Sequence, residues 1–224
     1  LPRDPRVWGA FAVMGLLNNV VPFTLMTWAQ LHVETGLTSI LNATTAIFGV
    51  IAAAVFFRDE RLTWRRMIGV GLGFAGVATI VGLDALGSFD LRSLGQIAIL
   101  AGTFSYALAG VWARKRSSHL PPMLAAAGML SASLVIMMTA TLLIEGDIDL
   151  PQTATGIGAI AYYTLIATAG AYLLYYRVLA MAGSGNLLLV TLIIPPIAIV
   201  LGAVVLGERL GPSAFVGLAM LAAG

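Results

Sequence analysis

The sequence predicts an all-α, polytopic membrane protein, on the basis of its composition, its hydrophobic pattern and the positions of its charges. Of the 224 residues, 59% are hydrophobic and 10% are charged, and the mean hydropathy is +0.96. Soluble domains carry about 25% charged residues, so this chain has too little polar surface to coat a water-soluble globule. The absence of cysteine and the net charge of +2 argue against a disulfide scaffold, a disordered chain and a nucleic-acid-binding protein.

Eight apolar runs approach the length of about 20 residues that a helix needs to cross the hydrocarbon core of a bilayer. We name them spans A to H, and they cover residues 8–31, 37–57, 67–83, 93–113, 121–144, 156–179, 186–206 and 212–224. Span H is too short to cross the bilayer within this chain. Short polar connections separate the spans, so we expect one unit embedded in the lipid bilayer, with no soluble domain.

Basic residues are distributed unevenly between the two sides that alternating spans define. Of the 12 Lys and Arg residues, only Arg92 and Arg209 fall in the A–B, C–D, E–F and G–H connections. The other ten lie in the N-terminal segment, in the B–C and D–E connections and near the end of span F. Because cytoplasmic loops are enriched in Lys and Arg, the side that carries these ten residues is predicted to be cytoplasmic. Eight spans then place both termini of the chain in the cytoplasm.

A Glu-Arg-Leu sequence follows span B at residues 60–62 and recurs after span G at residues 208–210, an offset of 148 residues. The same offset relates Gly69 to Gly217. Five spans, an odd number, separate the two copies, so they face opposite sides of the membrane, as in the inverted repeats of many transporters. Chance similarity between apolar helices is the alternative interpretation.

The repeat predicts two inverted halves of five helices each. Residues 1–83 would hold the last three helices of the first half, residues 84–92 would connect the halves, and residues 93–224 would form the second half with a truncated last helix. On this interpretation the first two helices of the first half are absent from this chain.

These motifs resemble the drug/metabolite transporter superfamily, specifically its EamA-type ten-helix exporters, and aromatic amino acid exporters are among the similar proteins. The second half carries Pro195-Pro196 and then Gly-Glu-Arg-Leu at 207–210, whereas the first half has Ile47-Phe48 in place of the proline pair. The resemblance covers essentially the whole chain. It implies a bacterial inner-membrane protein that exports amino acids or other small metabolites by alternating access, with a mid-membrane pocket between the halves.

The sequence shows no signature of an enzyme, a resident metal or a cofactor. It has no cysteine, only two histidines and no acidic pair within a span. Arg177, near the end of span F, is either an interfacial anchor or a clamp for a substrate carboxylate. Since His32 and Glu34 lie just outside span A, a facilitator or exchanger fits better than tight proton coupling. The other hypotheses are a non-transporting membrane scaffold and a lipid-linked flippase of the same fold.

Polar and aromatic residues at mid-span depth are the candidates for the binding of a small-molecule substrate. The predicted substrate-binding residues are Asn19, Phe23, Asn42, Thr45, Thr103, Tyr106, Tyr163, Tyr172 and Thr191. Asn19 either lines a cavity or forms an interhelical hydrogen bond, since a neutral amide in hydrocarbon needs one or the other. Pro195 and Pro196 form a hinge or a structural kink. Tyr175 and Tyr176 fit an interfacial belt. The sequence does not define an oligomeric state.

Overall fold

The computed structural model describes residues 4–90, 93–146, 153–194, 197, 204 and 211–223, and these residues form helices and turns with no strand. The helices are α1 (Pro5–Gly15), α2 (Val21–Ala29), α3 (Thr35–Phe56), α4 (Trp64–Val81), α5 (Leu94–Arg116), α6 (Pro122–Ile144), α7 (Ala154–Tyr162), α8 (Ala171–Leu188) and α9 (Pro212–Ala223). Segments of π-helix, Leu16–Val20 and Tyr163–Gly170, join α1 to α2 and α7 to α8. A 3₁₀ turn, Leu83–Ser88, follows α4.

Five helical stretches in the described part of the chain are long and apolar enough to cross a membrane. They are Pro5–Ala29, Leu37–Phe56, Leu94–Arg116, Pro122–Ile144 and Ala154–Leu188. These stretches correspond to spans A, B, D, E and F, with α8 extending into span G, while α4 and α9 occupy spans C and H. The prediction of an all-α, multi-pass membrane protein is therefore confirmed.

Polar residues fix several helix starts. The Asp4 carboxylate accepts a hydrogen bond from the backbone N–H of Arg6 at 2.9 Å, and Pro5 in the first turn has no backbone N–H and so needs no acceptor. Thr63 and Thr153 cap α4 and α7 in the same way. These side chains satisfy backbone donors that have no partner within the helix.

The bundle is built around α5, which packs against α2, α3 and α8. Small residues bring these helices close together, and Ala107, Ala109 and Ala113 of α5 are almost completely buried. At one edge α4 packs against α9, where Gly76 and Gly217 face each other. A Cβ at Gly217 would lie 2.6 Å from the carbonyl oxygen of Gly76, so this crossing requires glycine.

The connection between spans F and G is a single break in α8. Gly183 has φ +80° and ψ 173°, a backbone conformation that a helix cannot contain and that favours glycine. This break lies inside the short interval that separates spans F and G in the sequence. The proline pair at 195–196 and the second Glu-Arg-Leu sequence lie outside the described residues.

Candidate functional site

A central pocket of about 240 Å³ lies among α2, α3, α5, α8 and the following helical segment 190–194. Its polar lining comes from amide, hydroxyl and phenol groups: Asn18, Asn42, Thr45, Tyr106, Tyr172, Tyr175 and Thr191. Its apolar lining is Met26, Leu188, Val190 and Ile194. Uncharged polar groups of this kind fix the orientation of a small ligand inside a mostly apolar cavity.

The structure brings five of the nine predicted substrate-binding residues together in the central pocket: Asn42, Thr45, Tyr106, Tyr172 and Thr191. The hydroxyls of Thr45 and Thr191 donate to backbone carbonyls of their own helices, at 2.7 Å to Asn42 and 2.9 Å to Leu188. Their oxygens keep acceptor capacity, since a hydroxyl has two lone pairs.

Asn19 has a different role from Asn42. It is buried in the π-helical segment, and its amide nitrogen donates to the Ser133 hydroxyl of α6 at 2.8 Å. The Tyr172 hydroxyl of α8 donates to the amide oxygen of Asn19. Asn19 therefore joins three parts of the bundle and forms interhelical bonds, which is one of the two roles predicted for it.

The other predicted residues lie outside the central pocket. Thr103 is fully buried, and its hydroxyl lies 3.1 Å from that of Thr44, which joins α5 to α3. Phe23 is 41% exposed on α2, and Tyr163 is 64% exposed at the start of its π-helical segment. None of these three side chains lines the cavity as the structure describes it.

Asn18, a mid-span polar residue that the sequence also offers as a pocket candidate, lines the central pocket, and so does Tyr175, which was not among the predicted site residues. Tyr175 was assigned to an interfacial belt, together with Tyr176, whereas the structure buries Tyr176 in the core and places Tyr175 against the cavity. A signal was available for Tyr175, because it follows Tyr172 by three residues and so shares a helix face with it.

A second site lies where the B–C turn meets the end of α5 and the break in α8. We name it the Glu60 cluster, and it consists of Asp59, Glu60, Arg66, Arg114, Ser184 and Gly185. Glu60 is only 7% exposed. Its carboxylate accepts from the backbone N–H groups of Ser184 and Gly185 at 3.0 and 2.9 Å, and from the Ser184 hydroxyl at 3.2 Å.

Two arginines complete the Glu60 cluster. Arg66 of α4 donates to Glu60 at 3.3 Å and to the side-chain oxygen of Asn186 at 3.0 Å. Arg114 of α5 forms ion pairs with both Glu60 and Asp59 and stacks over the Phe57 ring. The Arg114 guanidinium that donates to Asp59 lowers the pKa of that exposed carboxyl.

Glycine at the break in α8 makes the Glu60 cluster possible. A Cβ at Gly183 would lie 2.6 Å from one carboxylate oxygen of Glu60, and a Cβ at Gly185 would lie 2.6 Å from the other. A cavity of about 630 Å³ opens beside the cluster and is lined by its charged residues and by 179–183. The cavity beside the Glu60 cluster is therefore lined by charged groups, while the central pocket is lined by neutral groups.

No group of three or more histidine, cysteine or acidic side chains that could hold a metal ion occurs among the residues that the structure describes. Neither site therefore offers a ligand set for a metal within that part of the chain.

Comparison with known proteins agrees with this architecture. A solved crystal structure aligns with a TM-score of 0.80 at 16% identity, covering 99% of this chain and 75% of that one, which is a likeness of fold. The "Probable terminal-alkyne amino-acid exporter" of Streptantibioticus cattleyicolor is 27% identical over 202 residues, covering 89% of this chain and 66% of that protein. The "Uncharacterized inner membrane transporter YedA" of Escherichia coli is 26% identical, covering 94% of this chain and 67% of that protein.

A third relative, the "Probable amino-acid metabolite efflux pump" of Salmonella typhimurium, is 26% identical, covering 84% of this chain and 65% of that protein. The chain thus spans about two thirds of the length of these curated relatives. The model of the EamA-like transporter family matches residues 1–82 and 93–224, nearly the whole sequence. This match confirms the resemblance inferred from the motifs and favours a transporter over an enzyme. The chain belongs to the EamA-like transporter family.

Proposed function

We propose that the protein exports small metabolites across the bacterial inner membrane by alternating access, with amino acids as the leading substrate class. The central pocket is the observation that carries this proposal. Its polar side chains come both from residues 1–83, through Asn42 and Thr45, and from residues 93–224, through Tyr106, Tyr172 and Thr191. Buried amides and phenols in an apolar bundle are costly unless they bond to each other or line a wet cavity, and a scaffold has no need of such a cavity.

Two helix boundaries support the inverted arrangement of the halves. An offset of 148 residues carries Trp64, the first residue of α4, onto Pro212, the first residue of α9. The same offset carries Thr35, the first residue of α3, onto Gly183, the break in α8. The second coincidence lies well outside the Glu-Arg-Leu sequences from which the offset was obtained.

The two π-helical segments also correspond. The offset carries Leu16–Val20 onto residues 164–168, which lie inside Tyr163–Gly170. Single π turns inside α-helices are uncommon and occur frequently at functional sites. Because each segment precedes pocket-lining helix residues, the pair is well placed to let the two helices bend as the halves rock.

The Glu60 cluster is proposed to hold one end of the transport path closed. It joins Glu60 of the first half to Arg114, Ser184 and Gly185 of the second half. Access to the central pocket from this end requires the halves to separate here and these bonds to break. The basic-residue distribution assigns this end to the cytoplasm, so the arrangement corresponds to a state closed to the cytoplasm.

The neutral lining of the described central pocket favours a facilitator or exchanger over tight proton coupling. Proton-coupled carriers keep an ionisable group in the membrane on the transport path. His32 and Glu34, the candidates near span A, lie in the exposed turn after α2, where the His32 ring stacks on Trp28. Movement driven by the substrate gradient is therefore the mechanism we propose.

Counterflow into liposomes tests the proposal. The full-length protein would be reconstituted with a pool of labelled amino acids and nucleosides, with and without a pH gradient. We expect uptake that does not depend on the gradient and that falls at least about tenfold in Asn42→Leu, because the variant loses a polar contact to the solute. Thr139→Val is the matched control, since Thr139 is exposed on α6 and its hydroxyl bonds within its own helix.

Three outcomes would contradict parts of this proposal. Absence of uptake by the wild-type protein would contradict transport of these solutes and favour the scaffold or flippase hypotheses. Normal uptake by Asn42→Leu would contradict the assignment of the central pocket. Uptake that requires the pH gradient would contradict the facilitator or exchanger mechanism.

A further inference from the structure

The carboxylate of Glu60 is held by donors from both proposed halves of the protein. In the second half, the backbone N–H groups of Ser184 and Gly185 donate at 3.0 and 2.9 Å, and Arg114 forms an ion pair. The Ser184 hydroxyl adds a donor at 3.2 Å, and Arg66 of the first half adds another at 3.3 Å. Each carboxylate oxygen thus receives one backbone N–H and one arginine, which is a specific arrangement for binding a carboxylate.

The backbone beside these donors is shaped around a carboxylate. A Cβ at Gly183 or at Gly185 would lie 2.6 Å from an oxygen of the Glu60 side chain, so both glycines keep this space open. The adjoining cavity has a volume of about 630 Å³. Sites for small molecules have volumes of about 300–1,000 Å³, so the cavity has room for the rest of a small solute whose carboxylate lies where that of Glu60 lies now.

Separation of the halves at this end takes Glu60 away from the donors of the second half. Glu60 keeps Arg66, since both belong to the first half, whereas Arg114 loses both of its described acidic partners, Glu60 and Asp59. A cation and hydrogen-bond donors without an acceptor in a partly enclosed site are unfavourable. Water can replace the acceptor, but a carboxylate replaces both the acceptor and the negative charge.

We propose that Arg114, Ser184 and Gly185 form an entry site for the carboxylate of a small solute, and that Glu60 fills this site while the path is closed. Glu60 is then an internal competitor, because it has to leave before the solute binds and cannot return while the solute is bound. This inference rests on the proposed closure of the path by the Glu60 cluster and adds a chemical class to the solute. The site lies at the end assigned to the cytoplasm, where an exporter takes up its solute.

Binding of a free carboxylate is tested on Glu60→Ala, which removes the internal carboxylate and keeps its donors. Thermal unfolding in detergent is followed as acetate is added, with acetamide as the neutral analogue and sodium chloride at equal ionic strength. We expect a saturable rise in the Tm with acetate, because a ligand that binds only the folded protein stabilises it. Acetamide should have no such effect.

Asp59→Ala is the matched control for this measurement. It removes a carboxylate from the same cluster but leaves Glu60 on the N–H groups of Ser184 and Gly185. Acetate should therefore raise the Tm of Asp59→Ala no more than sodium chloride does. If acetate stabilises Glu60→Ala no more than sodium chloride or acetamide does, the inference is wrong.

Inhibition of leucine counterflow tests the link to transport. Isocaproate and isocaproamide are leucine without its amino group, ending in a carboxylate or in a neutral amide, and they are added on the side of the Glu60 cluster. We expect isocaproate to inhibit the wild type at about one tenth of the concentration that isocaproamide requires. The ratio of the two concentrations is the readout, because a change in the stability of the closed state affects both inhibitors alike.

Arg114→Gln should bring this ratio close to one, because the variant lacks the cation of the entry site. Arg116→Gln is the matched control and should keep the ratio, since Arg116 ends the same helix but lies over the Trp112 ring. An unchanged ratio in Arg114→Gln would overturn the inference and leave the proposed transport intact. If the wild type takes up no leucine, the amino acid proposal is contradicted instead, and acetate binding by Glu60→Ala decides the carboxylate site alone. If Glu60→Ala does not fold, the inhibition ratio decides it.

Discussion

Replacing Glu60 with glutamine tests whether the Glu60 cluster holds one end of the transport path closed. The substitution keeps the size of the side chain but removes its charge and turns one acceptor oxygen into a donor. Two backbone N–H groups, those of Ser184 and Gly185, donate to different oxygens of the carboxylate. A glutamine can accept from one of them only, and it presents its amide nitrogen to the other or to an arginine.

The expected magnitude follows from these contacts. A hydrogen bond to a charged group stabilises by about 1.5–3 kcal/mol, and removing one partner of a buried ion pair costs about 3–5 kcal/mol. Because the cluster borders an open cavity and glutamine retains one acceptor, we take about 2–3 kcal/mol as the loss of stability of the closed state. That loss shifts the equilibrium toward the state open at this end by about 30- to 150-fold.

The chain contains no cysteine, so a single introduced cysteine reports access to the pocket without interference. Thr45 is fully buried and lines the central pocket, which makes Thr45→Cys a suitable reporter. A membrane-impermeant maleimide applied from the side of the Glu60 cluster should label Thr45→Cys much faster when Glu60→Gln is also present. Asp59→Asn is the control, because Asp59 is exposed and pairs with Arg114 alone among the described charged residues.

The expected order of labelling rates is Glu60→Gln far above Asp59→Asn, with Asp59→Asn close to the wild type. An unchanged labelling rate in a folded Glu60→Gln variant would refute the closure of the path by this cluster. A lowered Tm with no change in labelling would assign the cluster to stability alone.

Two further predictions concern packing and pH. Gly128→Ala should destabilise the bundle by about 1–3 kcal/mol, because its Cβ would lie 2.2 Å from the ring of the fully buried Phe11. Gly9→Ala should be tolerated, because the space around Gly9 is open. Thermal unfolding in detergent compares the two variants. Because Arg114 lowers the pKa of Asp59 from 3.8, their ion pair is fully formed above pH 3.8 and is lost as the pH falls through the lower value of the folded protein. Any difference in Tm between the wild type and Asp59→Asn should therefore persist down to pH 3.8 and vanish below it, and a loss at higher pH would contradict this assignment.

The helices and their order could be predicted from the sequence because membrane insertion depends on local properties. A run of apolar residues specifies a span by its own length, and the break at Gly183 falls where the sequence places the F–G connection. The same holds for the polar residues of α3, where Asn42 and Thr45 share a face by their spacing of three.

The partners of the polar residues could not be predicted in this way. Asn19 bonds to Ser133, which is 114 residues away, and nothing in the sequence around either residue indicates the other. The π-helical segment Tyr163–Gly170 shifts the phase of α8 relative to α7, so a regular helical count from Tyr163 does not continue to Tyr172. Tyr172 lines the pocket and Tyr163 does not, although both lie in one continuous apolar span.

Two asparagines that look equivalent in the sequence should therefore fail in opposite ways when replaced by leucine. Asn19→Leu leaves the hydroxyls of Ser133 and Tyr172 without their shared partner. An interhelical hydrogen bond in a membrane protein contributes about 0.6 kcal/mol on average and about 1.7 kcal/mol at most. The loss of two such bonds should therefore lower the free energy of unfolding by about 1–3 kcal/mol. Asn42→Leu removes a pocket contact and leaves those bonds in place, so the Tm should be retained while counterflow is lost. Measuring Tm and counterflow for both variants separates the two roles. If Asn19→Leu keeps its Tm but loses transport, the amide that binds the other helices also binds the solute, and the division between structure and pocket drawn from these contacts is wrong.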